Sequence, residues 1–190
     1  MSIGVGRHAA YDAVLAIRPS DSEEAFEREN TLAWIASGVQ IFRTSKPDVP
    51  DQHLVAYFAL VDRDAESVLL VDHRGAGLWL PTGGHVEPDE DPAATVTREA
   101  REELGIDAVL QDGLSSNPLF VTHTTTVGPD RPHVDVSLWY VLEGQVGQAL
   151  EPDPGEFVTT AWWAFADIAT APRADPQLPR FITKLTAELG

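Results

Sequence analysis

Glu99, Glu102 and Glu103 stand at i, i+3 and i+4 in the segment TREAREELGI. On a helix advancing about 100° per residue, they fall within a sector roughly 100° wide. Three like charges so close repel one another, and such a strip frays its helix unless a cation sits on it. Carboxylate oxygens are hard ligands suited to Mg²⁺ or Mn²⁺, ions that keep several waters and accept phosphate oxygens as further ligands. The competing reading of so short a string is an ordinary acidic, solvated helix face.

A carboxylate strip does chemistry only if the helix beneath it is held. Asp91 is the expected N-cap, Pro92 fits the first turn, and Gly105 is the expected C-cap. Ala93, Val96, Ala100 and Leu104 line a face about 100° round from the acids, so one face packs while its neighbour stays open. Gly83-Gly84 supplies a turn just upstream.

The longer spacing separates the two readings. Gly84 is followed after five residues by Glu90, and after seven more by Arg98-Glu99-Ala100-x-Glu102-Glu103-x-Gly105-Ile106. This resembles the signature of the Nudix hydrolases, with Ala100 smaller than the usual bulky aliphatic residue. The resemblance covers about residues 51–170. It implies an α/β protein with the Nudix fold, an α/β/α sandwich around a mixed β-sheet, and metal-dependent hydrolysis of a diphosphate linkage. Glu99, Glu102 and Glu103 match the family's metal-binding glutamates, whereas Glu90 and Arg98 match positions that orient them. Gly83 and Gly84 would let the backbone turn beside the phosphates. Thr82 separates Pro81 from the glycines, a shift from the usual Pro-Gly-Gly. Pro154-Gly155-Glu156 looks like a loop of the antimutator nucleoside-triphosphatase branch, which makes Glu156 a candidate further metal ligand. Glu99 or Glu156 is the candidate general base.

Around that segment, residues 1–50 read as an N-terminal extension with one helix, from Ser20 or Asp21 to about Ser37, packed on or capping a domain of residues 51–190. YDAVLAI, ahead of it, has the apolar content to pack. Strands are expected over 53–61, 67–71, 107–110, 119–126, 133–142 and 157–164, with a last helix over about 176–189. In HVDVSLWYVL, Val134, Val136, Leu138, Tyr140 and Leu142 alternate with His133, Asp135, Ser137 and Trp139. That pattern predicts a core face and a polar face, making His133, Asp135 and Trp139 candidate substrate contacts, against the plainer reading of an exposed sheet face. Trp79 and Trp139 are candidates for stacking on a base, against a core reading. His123 reads as structural.

The net charge of -17 argues against a nucleic-acid polymer as partner and would repel a free anionic substrate unless metal and local cations neutralise the site. With no cysteine there is no disulfide frame, thiolate metal site or cysteine nucleophile. The family's isopentenyl diphosphate isomerase relatives depend on a cysteine and are disfavoured. Marks of the ADP-ribose, diadenosine polyphosphate and NADH branches are also missing, which leaves a small nucleoside di- or triphosphate as the expected substrate. A sugar nucleotide or other diphosphate is the alternative, and a nucleotide-binding sensor that does not hydrolyse its ligand is the alternative from another class. No membrane span or secretory leader is legible, so a cytoplasmic location is expected. A homodimer stays open, since many Nudix proteins dimerise.

Overall fold

The computed structural model describes residues 4–46, 49–108, 110, 116–126 and 132–190. In chain order the elements are α1 (Val5–Ala16), α2 (Ser22–Ala36), β1 (Gln52–Asp62), β2 (Ser67–His73), β3 (Trp79–Leu80), β4 (Thr82–His85), α3 (Pro92–Leu104), β5 (Phe120–Thr126), β6 (His133–Glu143), β7 (Phe157–Ala164) and α4 (Leu178–Leu189), with a short 3₁₀ helix over Phe165–Thr170. The strands form one mixed sheet in the order β3-β2-β1-β6-β5, with β4 added to β1 and β7 to β2. β1 and β6 are parallel, with His53 opposite Asp135 and Ala56 opposite Leu138. The remaining pairs are antiparallel.

Side-chain alternation along β1 divides the core in two. Leu54, Ala56, Phe58 and Leu60 join Val96, Ala100 and Leu104 of α3, and also Ala10, Val14, Leu32 and Ile35 of the first two helices. Ala59 and Val61, on the other face, join Trp139, Val141 and the α4 residues Phe181, Ile182 and Leu185. The expected α/β/α sandwich is the observed architecture. Val96 and Leu104 are fully buried, each contributing roughly 1.5–3 kcal/mol to holding α3 on the sheet.

Residues ahead of β1 form two helices rather than the expected one. α1 buries Gly6, Ala10 and Val14, a narrow stripe of small residues that gives little amphipathic signal. α2 begins as expected, with Asp21 accepting from the Glu24 amide at 2.7 Å. Its Glu24 is fully buried and meets Lys184 of α4 at 2.6 Å, while Arg180 of α4 reaches Asp21 and Glu23. His123 is structural, with Nε2 2.8 Å from the Thr31 hydroxyl and its amide donating to Glu27 at 3.2 Å.

Two strand expectations change. Residues 107, 108 and 110 lie in no strand, and 109 is outside the described residues. Instead Ile106, Ala108 and Leu110 pack irregularly against the α3-side core. β6 has no solvated face, because it lies between β1 and β5 with packed side chains on both sides of the sheet: Asp135, Ser137 and Trp139 are all buried. Trp139 donates from its indole N–H to Thr122 at 3.0 Å and packs 5.1 Å from the Phe181 ring. Burial under α4 corrects the expectation that Trp139 contacts substrate.

Candidate active site

α3 starts and stops on its signals. Asp91 accepts from the Ala93 amide at 2.8 Å, Pro92 occupies the first turn, and Gly105 closes the helix in the left-handed conformation at φ 68°. The C-terminal carbonyls, orphaned by the end of the helix, are claimed by the loop before β7: Glu151 donates its amide to Leu104 O at 2.8 Å and Asp153 to Glu103 O at 3.0 Å. A Cβ on Gly105 would lie 2.8 Å from the Glu151 side chain, so glycine serves both the turn and this docking. Docking fixes where Glu156 begins, and the negative charge of Glu156 is felt at Glu103.

Glu103 points at β4. It is 8% exposed, and its carboxylate accepts from the Thr82 hydroxyl and from the Gly83 amide at 3.0 Å. Burial, then the charges of Glu99 and Glu156, push its pKa up to about 9. Burial also raises Glu99, against the pull of Arg98. The Glu99 carboxylate lies directly over Gly84, where a Cβ would stand 2.0 Å from Oε1. Glu102 is exposed at the solvent end of the strip.

Arg98 organises the acids. Its Nε and Nη2 fork onto Glu90 at 3.0 Å each, and Nη1 donates to Glu99 at 2.6 Å and to Glu102 at 3.3 Å. Nη2 also reaches the His85 carbonyl at 3.2 Å. Burial opposes ionisation of Glu90, but the Arg98 and Thr95 hydrogen bonds and the Glu87 amide outweigh it and hold its pKa below the ordinary value. One guanidinium thus serves three carboxylates, leaving the group net negative. α1 closes the back of this loop: a Cβ on Gly6 would fall 2.6 Å from the Glu90 carbonyl oxygen.

The arrangement brings Glu90, Arg98, Glu99, Glu102, Glu103, Gly83 and Gly84 together around one turn. Glu156, half-exposed, sits 3.5 Å from His73 Nε2. His133 and Asp135 lie elsewhere, in contact with each other at 3.4 Å and with His53, on the sheet face away from α3. Sequence reasoning missed Thr82, treated only as a shifted turn residue, and Thr95, which donates to Glu90 at 2.7 Å. A hydroxyl in place of a family proline was the available signal for Thr82. No local signal marked Thr95.

The donor set fits a hard divalent cation. Every candidate ligand is a carboxylate, and burial, with the charges of neighbouring acids adding to it, raises the pKa of Glu99 and Glu103, a cost that a bound cation would offset.

Comparison with known proteins bears on the family and the fold. The family model described as NUDIX domain matches residues 52–185. A CTP pyrophosphohydrolase from Escherichia coli (strain K12) is 40% identical over 62 residues, 31% of this chain and 46% of that protein. An m7GpppN-mRNA hydrolase from Danio rerio is 31% identical over 131 residues, 60% of this chain and 42% of that protein. The matched stretch thus spans less than half the length of these curated relatives. A Nudix-family hydrolase crystal structure from Clostridium perfringens superposes with a TM-score of 0.56 at 24% identity, covering 71% of this chain and 97% of that one, which is a likeness of fold.

Proposed function

This chain belongs to the Nudix family, and from that membership we propose that it hydrolyses a diphosphate linkage in a small nucleoside di- or triphosphate, with Mg²⁺ or Mn²⁺ as cofactor. The observation that carries the reading is the Arg98-centred group of carboxylates gathered against the Gly83-Gly84 turn. The activities for which the relatives are named, on CTP and on m7GpppN-mRNA, both concern nucleotide phosphates and support the substrate class.

Glu99, Glu102 and Glu103 would hold the cation, which supplies charge neutralisation at the phosphoryl oxygens and a more acidic bound water. The protein's own groups do the positioning. Thr82 and the Gly83 amide fix one Glu103 oxygen, and Arg98 fixes Glu99, so neither carboxylate has to reorganise when substrate arrives. The missing side chain at Gly84 lets the Glu99 carboxylate lie against the backbone of the turn. Proton removal from the attacking water requires a carboxylate oxygen free to reach it. Glu156, exposed beside His73, is proposed as the base ahead of Glu99, whose carboxylate oxygen is already held by Arg98 at 2.6 Å.

The test is a panel of nucleoside di- and triphosphates, sugar nucleotides and dinucleotides with Mg²⁺ or Mn²⁺, read as phosphate or pyrophosphate release. Turnover of nucleoside phosphates by the wild type, abolished in Glu102→Gln/Glu103→Gln, is expected. Release that survives this double substitution, or no release from any compound, defeats the reading.

A further inference from the structure

We propose that His53, His85 and Asp135 form a second metal site, built for a nitrogen-preferring transition ion such as Zn²⁺ and separate from the carboxylate strip. One ligand atom from each residue lies within 4.8 Å of the others, the grouping of this kind found among the described residues. His53 Nε2 stands 3.0 Å from His85 Nε2 and 3.1 Å from Asp135 Oδ1. Three donors about 2.0–2.2 Å from a shared ion in tetrahedral arrangement are themselves roughly 3.3 Å apart, so a small closure around an ion suffices.

The tautomer of His53 is fixed by its neighbour. His53 Nδ1 lies 2.9 Å from the Pro50 carbonyl oxygen, which can only accept, so Nδ1 carries a proton and the neutral ring would present its lone pair at Nε2. That lone pair faces a carboxylate oxygen in a fully buried setting. Asp135 is 7% exposed, and among the described residues its Oδ1 accepts no hydrogen bond, although His53 and His133 nitrogens stand 3.1 and 3.4 Å away. A buried carboxylate oxygen without a donor beside a lone-pair nitrogen is repulsive. One proton relieves one pair of these atoms, whereas one cation ligates all three. The Pro50 carbonyl then acts as the outer partner that commonly orients a ligating imidazole.

The ligands come from three neighbouring strands, which makes the cluster rigid. His53 of β1 is the direct register partner of Asp135 of β6, and His85 of β4 lies opposite Val55, two residues along the same face of β1. His133 stacks on His53 at 5.2 Å between ring centres and flanks the carboxylate. Two imidazoles and one carboxylate favour Zn²⁺ over Mg²⁺, the reverse of the preference on α3. The two sites meet through one residue, since the carbonyl of His85 accepts from Arg98. An ion on the His85 imidazole therefore pins the end of the glycine turn from the opposite face.

Chelator-stripped full-length protein should be titrated with Zn²⁺ alone by calorimetry, beside Glu99→Gln/Glu102→Gln/Glu103→Gln, which lacks the carboxylate strip. One equivalent is expected in the triple variant and at least one in the wild type, whose carboxylate strip can take a second ion. His85→Gln and Asp135→Asn, made in that triple background, should weaken it at least about a hundredfold, the upper end of what even outer-partner changes cost. Cobalt(II) loaded into the same triple variant should show visible ligand-field bands of a nitrogen-containing low-coordinate site. This readout holds even if Asp135→Asn fails to fold. No Zn²⁺ uptake by the triple variant, or unchanged uptake after His85→Gln, overturns the proposal.

Discussion

Two polar clusters flank β4, and they solve burial differently. On the α3 side, three of four acids share one arginine: Glu90, Glu99 and Glu102 each bond Arg98, while Glu103 relies on Thr82 and Gly83. On the opposite face, His53, His85 and Asp135 bring mostly nitrogen to one point. The first set is hard, oxygen-only and over-charged, and the second is softer, with two imidazoles to one carboxylate. Cation preference is therefore a property of donor type, and one strand can separate two preferences.

The comparison breaks most visibly at Glu103. Glu103→Gln should lower kcat/KM with Mg²⁺ by about a thousandfold or more, several kcal/mol of transition-state stabilisation, without affecting Zn²⁺ uptake at the histidines. If both functions fall together, the clusters are one site.

Gly84→Ala should follow, with roughly a hundredfold loss in kcat, because the added Cβ would meet Glu99 Oε1 and displace it by about an ångström. Arg98→Lys keeps the charge but loses the fork onto Glu90, and a ten- to hundredfold loss of activity is expected. Steady-state kinetics on the best substrate of the panel measures both.

A pH series sharpens the contrast in charge. Burial raises Glu103 from an ordinary 4.5 to about 9, so between those limits the folded protein holds a proton that the unfolded chain has released. The contribution of Glu103 to the stability of the metal-free protein should accordingly be full below about pH 4.5 and decline as pH rises toward 9, with Glu103→Gln flattening the decline in urea titrations. Mg²⁺ should oppose it at high pH. The smallest effect belongs to Arg101, one helical step away from the site. Its pair with Asp107 is exposed, and Arg101→Ala should change stability by less than about 1 kcal/mol and leave turnover unaltered.

The sequence by itself determined α3 and its acids. Asp91, Pro92 and Gly105 mark the ends, and the acids recur at helical spacing, so local rules place them on one strip whatever surrounds it. The long strands β1, β2, β6 and β7 were legible for the same reason. What failed depended on neighbours distant in the chain. Alternation in β6 could not reveal that α4 covers its second face, which turned Trp139 from a candidate contact into core. Small residues in α1 gave no periodic signal, yet Gly6 is where that helix meets the Glu90 loop. His53, His85 and Asp135 are 32 and 50 positions apart and became a cluster only through the register of β1 with β4 and β6. Helical geometry is written into adjacent residues, whereas strand pairing and burial are chosen among distant ones by packing of the whole chain.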